Sequence, residues 1–314
     1  MIYTLTLNPA LDYVVRLPAL RMGMTNRAET TALQLGGKGI NVSCILRELG
    51  METTALGFIA GFTGDALEAE LARRGVSTDF IHLTEGLTRI NVKLGTANGE
   101  TEINGAGPAI SDEALEALWR RLDCLTAEDT LVLAGSIPPS LPRDFYGRVA
   151  KELSEREVRL IVDAEGEALT AALPYRPFLV KPNRTELEGW VGHPLPAEDD
   201  LKAAAEALQK AGGRNVLVSL GGDGALLLDE YGALRRMSAP PIIPVNTVGA
   251  GDSMVAGFLA GLSDGYPAAL RLGIAAGSAT AASEELACGP SIRAMEAGMR
   301  DTETEDLSDN RFSF

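Results

Sequence analysis

Helical and extended patterns alternate along the second half of the chain, and this alternation limits the fold more than any other feature. Apolar runs bounded by turn residues predict strands at 130–134, 159–163, 178–181, 215–220 and 225–229, the last a candidate antiparallel strand. Amphipathic segments predict helices at 112–123, 143–156, 185–191 and 197–211. Such alternation buries the strands in a mostly parallel sheet with helices on both faces, so we expect a doubly wound α/β fold.

The first half of the chain extends this pattern and interrupts it twice. Strands are predicted at 2–7, 53–59 and 80–83, and helices at 40–49 and 65–74. The interruptions are residues 12–34, which alternate apolar and polar side chains, and two arms at 89–94 and 100–104. Asn98-Gly99 between those arms favours a hairpin.

We expect one domain over residues 1–300, with a small β-sheet lid from insertions at about 12–34 and 86–105. An acidic tail at 301–314 is expected to be loosely held.

Composition excludes several classes of function. The net charge of −15 argues against nucleic acid or an anionic membrane as a partner, and it means that an anionic substrate needs local cations. The three cysteines are far apart and form no Cys-x-x-Cys pair, which fits a reducing cytoplasm. The start of the chain has no basic segment typical of a signal peptide, and no apolar run approaches the ~18 residues of a membrane span.

A glycine turn at 249–251 opens a predicted helix. Val255, Phe258, Leu259 and Leu262 recur at helical spacing after it, whereas the proline-broken segment 241–245 before it cannot be helical. The free N–H groups of such a helix start favour an anion. Asp252 in the same turn is consistent with two roles, a helix cap or a base that deprotonates an attacking hydroxyl beside a bound phosphoryl group.

Polar or glycine-rich residues follow nearly every predicted strand. In an open parallel sheet ligands bind outside the carboxyl ends of the strands, so these residues should share one cleft. They are Asp12, Gly135-Ser136, Asp163, residues 183–186, Gly221-Gly222 and residues 249–252.

The stretch 246–259 resembles the C-terminal signature of the ribokinase-like (PfkB) carbohydrate kinases. The resemblance implies that Asp252 is the catalytic base and that the amides of Gly249, Ala250 and Gly251 stabilise the transferred phosphoryl group. It also implies a β-lid over the sugar site, through which many members dimerise. Four motifs in family order extend the resemblance over about residues 1–300.

The early motif Gly36-Gly37-Lys38-Gly39-Ile40-Asn41 lacks the Gly-Lys-Ser/Thr ending of a P-loop and is similar to the sugar-binding motif of the family. The alternative is a tight turn with a solvated lysine. By resemblance Lys38 contacts the phosphate already on the substrate and Asn41 a sugar hydroxyl. The same resemblance implies substrate contacts from Asp12, which can accept two hydrogen bonds from a diol, and from Arg89 and Ser136. Arg27 in the first lid insertion is a further candidate, in its own subunit or in a neighbouring one.

Asn183 and Glu186 lie three residues apart at a helix start. Amide and carboxylate oxygens without histidine or cysteine suit Mg²⁺, and the alternative is a helix-capping box. The resemblance implies that this pair holds the hydration shell of Mg²⁺. It further implies ATP contacts from Lys181, Asn183 and a glycine loop: Ser219, Gly221, Gly222 and Gly224.

These features predict an ATP-dependent ketohexose-phosphate kinase. The motifs are most similar to the group containing 1-phosphofructokinase and tagatose-6-phosphate kinase, so the expected reaction converts fructose 1-phosphate to fructose 1,6-bisphosphate. Tagatose 6-phosphate is the alternative substrate. A non-catalytic sugar-phosphate sensor on the same scaffold is more distant, since it needs neither Asp252 nor the Asn183–Glu186 pair. A dinucleotide oxidoreductase is set aside because no Gly-x-Gly-x-x-Gly follows a strand.

Overall fold

The computed structural model describes residues 1–299 and 305–306, and these residues form a sheet of ten strands and a second sheet of four. The strands in chain order are β1 Ile2–Thr6, β2 Ala10–Arg16, β3 Thr30–Gly36, β4 Thr53–Ala60, β5 Ser77–Leu83, β6 Arg89–Thr96, β7 Gly99–Ile103, β8 Thr130–Ala134, β9 Arg159–Asp163, β10 Leu179–Val180, β11 Asn215–Ser219, β12 Ala225–Leu228, β13 Leu234–Met237 and β14 Glu305–Asp306.

The large sheet has the order β14-β13-β12-β11-β10-β9-β8-β1-β4-β5. Strands β11 to β5 in that order are parallel to one another, and β12, β13 and β14 add antiparallel strands at one edge. The α/β fold class is therefore confirmed, as is the antiparallel direction of the predicted strand at 225–229.

The helices cover both faces of this sheet. They are α1 Lys38–Glu48, α2 Gly61–Arg73, α3 Asp112–Leu122, α4 Phe145–Ser154, α5 Gly166–Ala172, α6 Arg184–Val191, α7 Glu198–Lys210, α8 Ala250–Gly261, α9 Tyr266–Ala281 and α10 Gly289–Gly298. Successive residues of β8 show the two layers. Leu131 and Leu133 join the core that contains Leu118 of α3, and Val132 joins the core that contains Val42 of α1. A parallel strand buried in this way is apolar along its whole length.

Four described elements were missed in the sequence: α5, β13, α10 and the two-residue strand β14. Two of the four residues of β13 are arginines, so it lacks an apolar strand pattern. Helix α5 has only seven residues, and α10 starts with Gly289-Pro290 and carries few apolar residues. Short elements such as these depend on the neighbours they pack against more than on their own periodicity.

The second sheet, ordered β3-β2-β6-β7, is the predicted lid. The hairpin β6–β7 turns at Ala97-Asn98, as the Asn-Gly pair indicated. Strands fill only the two ends of the first insertion, however, because residues 17–29 between β2 and β3 have no regular secondary structure. The strand pairing gives the lid two faces: one is polar and carries Asp12, Asn91 and Lys93, and the other is apolar.

The predicted tail at 301–314 lies outside the described residues except for β14, which pairs with β13. Among the described residues, none of the helices has the length and apolar character needed to cross a bilayer.

Helices α8 and α9 pack closely because glycines line their contact. A Cβ on Gly257 would lie 2.5 Å from the carbonyl oxygen of Leu272 and 2.9 Å from the Cα of Gly273. On the other helix, a Cβ on Gly273 would lie 3.0 Å from the carbonyl oxygen of Met254. Helix α8 carries Asp252, so this contact sets the depth at which that residue sits.

We therefore expect Gly257→Ala to lower the free energy of unfolding by about 1–3 kcal/mol, because the added methyl group meets backbone atoms. The matched control is Gly189→Ala in α6, where a Cβ would meet nothing within 4 Å. That change should be neutral or stabilise by up to about 1 kcal/mol. Thermal melts of both variants test this, and a Gly257→Ala protein as stable as wild type would contradict the close helix contact.

Candidate active site

A cleft of about 860 Å³ lies at the carboxyl ends of the parallel strands, where the sequence predicted it. It is lined by residues at or just after the ends of five parallel strands, β1, β8, β9, β10 and β11. Positions far apart in the chain therefore meet there. Of the predicted site residues, it is lined by Asp12, Gly37, Lys38, Asn41, Arg89, Ser136, Lys181, Asn183, Glu186, Ser219, Gly249, Gly251 and Asp252.

The remaining predicted residues are not cleft-lining. Gly36 packs against the Asp12 side chain, since a Cβ there would lie 2.6 Å from Oδ1 of Asp12. Ala250 is the first residue of α8, between Gly249 and Gly251. Gly221 and Gly222 lie in a short 3₁₀ turn after β11 with open space above them.

Gly224 and Arg27 are likewise outside the set of cleft-lining residues. A Cβ on Gly224 would come within 2.1 Å of the Met237 carbonyl oxygen, so the β12–β13 contact already requires a glycine there. Arg27 is exposed in the irregular part of the lid.

Asp252 lies in the first turn of α8. Gly249 precedes the helix with φ +79°, a left-handed conformation that favours glycine. The Asp252 side chain is buried, yet it faces the cleft rather than the core, and its Oδ2 accepts a hydrogen bond of 2.8 Å from Nδ2 of Asn41. The carboxylate is therefore positioned by the early glycine motif and accessible to a ligand.

The pKa of Asp252 is raised from its ordinary value to about 6. Burial is the main cause, and the charge of Asp163 adds to it. The hydrogen bond from Asn41 and the ammonium groups of Lys38 and Lys181 oppose the shift. A carboxylate with a pKa near 6 is ionised at neutral pH and is more basic than an ordinary aspartate, as a general base should be.

Asp163 forms the centre of a charge cluster that the sequence analysis did not assign. Its Oδ1 lies 3.2 Å from Nζ of Lys38 and 3.4 Å from Nζ of Lys181. These cations lower the pKa of Asp163 although burial acts in the opposite direction. Its Oδ2 is buried and has no hydrogen-bond partner in the described part of the chain. The position of Asp163 after a buried strand indicated the cleft, but only the fold shows its two lysine partners.

Lys38 lines the cleft and also contacts this charge cluster. Its Nζ lies 3.8 Å from Oε1 of Glu186 as well as close to Asp163. Burial lowers its pKa, but the carboxylates of Asp163, Asp252 and Glu186 outweigh burial and raise it. Lys38 is therefore a firmly protonated cation between Asp252 and the Asn183–Glu186 pair.

Asn183 and Glu186 form a capping box at the start of α6. The side chain of Asn183 accepts from the Glu186 amide at 2.8 Å, and Oε2 of Glu186 accepts from the Asn183 amide at 2.9 Å. The capping box, which the sequence offered as the alternative to a Mg²⁺ site, is therefore present. It is compatible with cation binding, because Oε1 of Glu186 is outside the box and lies near Lys38 in the cleft. Residues 1–299 and 305–306 contain no cluster of three acidic, histidine or cysteine ligands, so the donors fit an ion that keeps most of its water.

One end of the cleft lies under the lid, where Asp12, Arg89 and Glu102 line it. Arg89 donates from Nε to the Asn8 carbonyl at 3.1 Å, which directs the guanidinium group along the cleft wall. Asp12 is held by Asn91 and Lys93 of β6. Arg143, which the sequence analysis missed, also lines the cleft. It precedes α4 in a loop without a motif, so its sequence carries no signal of a site.

The model of the pfkB family carbohydrate kinases matches residues 3–291. The chain belongs to this family. The resemblance noted in the sequence is thus confirmed, and the family is one of phosphotransferases that act on carbohydrates.

Relatives and solved structures place the chain more narrowly within the family. The 1-phosphofructokinase of Bacillus subtilis is 45% identical over 288 residues, which cover 91% of this chain and 94% of that protein. The D-tagatose-1-phosphate kinase of Bacillus licheniformis is 37% identical with the same coverage of 91% and 94%. The structure of phosphofructokinase-2 from Escherichia coli in complex with fructose-6-phosphate superposes with a TM-score of 0.86 at 31% identity, covering 95% of this chain and 98% of that one.

The raised pKa of Asp252 predicts how stability depends on pH. The folded state holds a proton on Asp252 up to about pH 6, whereas the unfolded chain releases it near pH 4, so ionised Asp252 destabilises the fold at neutral pH. We expect Asp252→Asn to raise the free energy of unfolding at pH 7.5 by roughly 1–3 kcal/mol. This gain should shrink toward zero as the pH falls from 6 to 4.

Thermal melts of wild type and variant across this pH range measure the difference. The surface change Asp264→Asn is the control, and it should give no such gain. An Asp252→Asn protein less stable than wild type at pH 7.5 would show that ionised Asp252 is stabilised in the fold.

Proposed function

We propose that the chain transfers the γ-phosphoryl group of ATP to the 6-hydroxyl of fructose 1-phosphate and so produces fructose 1,6-bisphosphate. The observation that carries this proposal is the position of Asp252, a buried carboxylate of raised pKa at the start of α8, in one cleft with Lys38, Arg89 and Lys181. Cations and a base in one cleft suit phosphoryl transfer to an alcohol. The 45% identity to a protein named 1-phosphofructokinase supports the choice of sugar.

In this mechanism Asp252 takes the proton from the attacking hydroxyl. The proton moves from the sugar oxygen to the carboxylate as that oxygen bonds to phosphorus and the bond to the ADP leaving group breaks. The amides of Gly249, Ala250 and Gly251 at the helix start offset the charge on the transferring group, since the first N–H groups of a helix lack intrahelical partners. Asn41 keeps the carboxylate in place through its 2.8 Å hydrogen bond.

The phosphates of ATP are assigned to the side of the cleft formed by Lys181, Asn183 and Ser219. Gly221, Gly222 and Gly224 extend this side in the proposal, although Gly224 also has the structural role described above. Oε1 of Glu186, which lies outside the capping box and 3.8 Å from Nζ of Lys38, and Oδ2 of Asp163, which has no hydrogen-bond partner among the described residues, would hold Mg²⁺ through its water shell. When bound, the ion supplies positive charge to the phosphate oxygens.

The sugar phosphate is assigned to the lid side. Asp12 would accept hydrogen bonds from sugar hydroxyls, and Arg89, Ser136 and Lys38 would bind its phosphate. The relative named D-tagatose-1-phosphate kinase leaves a ketohexose 1-phosphate of the other C4 configuration as an alternative to fructose 1-phosphate. Tagatose 6-phosphate stays a further alternative. A purely sensing protein is disfavoured, because it would not need a base such as Asp252.

The apolar face of the lid supports a homodimer. Leu33 and Ile103 are each 59% exposed there, with Tyr13 and Ile90 close by on paired strands. A second copy of the same face would cover these side chains, as in a two-fold symmetric contact. Arg27 is exposed in the same lid, so in this dimer it is a candidate for contact with the partner's site.

A coupled assay with ATP, Mg²⁺ and four sugars tests the reaction. We expect kcat/KM to be highest on fructose 1-phosphate, ahead of tagatose 1-phosphate, tagatose 6-phosphate and fructose 6-phosphate. With wild type, kcat/KM should fall about tenfold per pH unit below the Asp252 pKa of about 6, since only the ionised base accepts a proton.

Asp252→Asn should lower kcat by at least about 10³-fold while the sugar phosphate still binds. The matched control Asp264→Asn should retain wild-type kcat. Near-normal turnover by Asp252→Asn would refute the base assignment, and a preference for another sugar of the panel would refute the proposed substrate.

The dimer is tested by light scattering after gel filtration. Leu33→Glu places a charge on the apolar lid face, on the edge strand β3, and should shift the protein from dimer to monomer. Tyr231→Glu, at an exposed apolar position between β12 and β13, is the control and should leave the mass unchanged. A Leu33→Glu protein with the mass of the wild-type dimer would exclude the lid as the interface.

A further inference from the structure

Lys93 is a buried lysine on the polar face of the lid. Its side chain is only 8% exposed, and its Nζ lies 3.0 Å from Oδ2 of Asp12 and 3.7 Å from Oε1 of Glu102. Burying an ammonium group is costly unless it is paired, so a lysine at this depth needs its carboxylate partners. The proposed mechanism gives this residue no role.

Both oxygens of Asp12 are held from strand β6. Oδ1 accepts a hydrogen bond of 2.8 Å from Nδ2 of Asn91, and Oδ2 pairs with Lys93. Asn91 is itself fixed, because its Oδ1 accepts from the Gly105 amide at 3.2 Å. Asp12 pairs in register with Asn91, and Lys93 lies two residues further along the same face of β6. The carboxylate is therefore held in one orientation by two donors from one neighbouring strand.

An ionised carboxylate has about four acceptor sites, so these two bonds leave capacity for sugar hydroxyls on the side that lines the cleft. Lys93 is not among the cleft-lining residues of the described chain, whereas Asp12 and Glu102 are. Its ammonium group can thus influence a ligand through Asp12 rather than by contact.

We propose that Lys93 is a positioning residue for the sugar phosphate, which acts by fixing the Asp12 carboxylate in the orientation that accepts sugar hydroxyls. The inference rests on the proposed function in assigning Asp12 to the sugar. Fixing an acceptor before binding reduces the loss of side-chain entropy when the ligand binds. It should affect the affinity for the sugar and leave the nucleotide half of the cleft unchanged.

The test compares wild type, Lys93→Met, Asp12→Asn and the double variant. Lys93→Met should raise the KM for fructose 1-phosphate about tenfold or more, with the KM for ATP and kcat within about threefold of wild type. Calorimetric titration with fructose 1-phosphate in the absence of ATP should show the same loss in Kd. In the Asp12→Asn background, Lys93→Met should add less than about threefold, because its effect is transmitted by Asp12.

Several outcomes would overturn the inference. One is an unchanged sugar KM, another is an equal rise in both KM values, and a third is the same loss in the Asp12→Asn background as in wild type. The matched control is Lys202→Met, which removes a lysine of α7 with an aspartate partner at 3.8 Å. It should leave both KM values and the Kd for fructose 1-phosphate unchanged. If Lys93→Met does not fold, as judged by a thermal melt, the same comparison is made with Lys93→Gln.

The proposed reaction and the role of Lys93 can be refuted separately. Wild-type protein that binds fructose 1-phosphate but does not phosphorylate it would refute the proposed reaction, whereas the Kd values of the four proteins would still test Lys93. Normal phosphorylation together with a silent Lys93→Met would refute only the inference about Lys93.

Discussion

The balance of four charges at the base of the cleft, three of them buried and the fourth on the partly exposed Lys38, is the interaction on which the site depends. Asp163 lies between Lys38 and Lys181, and its negative charge adds to the effect of burial in raising the pKa of Asp252. Without the lysines two buried carboxylates would repel each other strongly, and without Asp163 the ammonium groups of Lys38 and Lys181 would lose the carboxylate that lies between them. The two lysines therefore offset part of the repulsion between the carboxylates, and Asp252 stays basic but ionised at neutral pH.

This cluster requires the parallel sheet. Lys38 starts α1, Asp163 ends β9, Lys181 follows β10 and Asp252 lies in the first turn of α8. Asp163 and Lys181 lie at the same edge because parallel strands deliver their carboxyl ends to one side, and the starts of α1 and α8 reach that edge from the lid strand β3 and from the segment after β13. The glycine contact between α8 and α9 then sets how deep the start of α8 lies. A fold without these two constraints would leave the same residues exposed and unpaired.

The lid combines two requirements in one thin sheet. Its polar face holds Asp12 over the cleft through Asn91 and Lys93, and its other face carries exposed apolar side chains such as Leu33. Alternation along a strand makes such a two-faced sheet possible, since successive side chains point to opposite sides. In the proposed dimer, covering the apolar face would also steady the strands that fix Asp12.

Much of this protein could be predicted from local sequence patterns. Helical and strand periodicity, turn glycines and polar residues at strand ends identified the α/β fold, the lid and the edge that forms the cleft. These signals extend over a few neighbouring residues, so they can be recognised without knowledge of the tertiary structure. The same locality explains the errors at β13 and in the middle of the first lid insertion, where packing outweighs a weak pattern.

The partners of the site residues were decided only by the tertiary structure. Asn41 and Asp252 are 211 positions apart, and Asn91 and Asp12 are 79 apart, so no local pattern relates them. The order of the strands in the sheet and the register of the lid bring them together. The sequence alone thus identified most of the residues of interest that reach the cleft, though not Arg143, whereas the fold decided which charges face each other there. The reason is that Coulombic and hydrogen-bond energies depend on distances in space and not on separation along the chain.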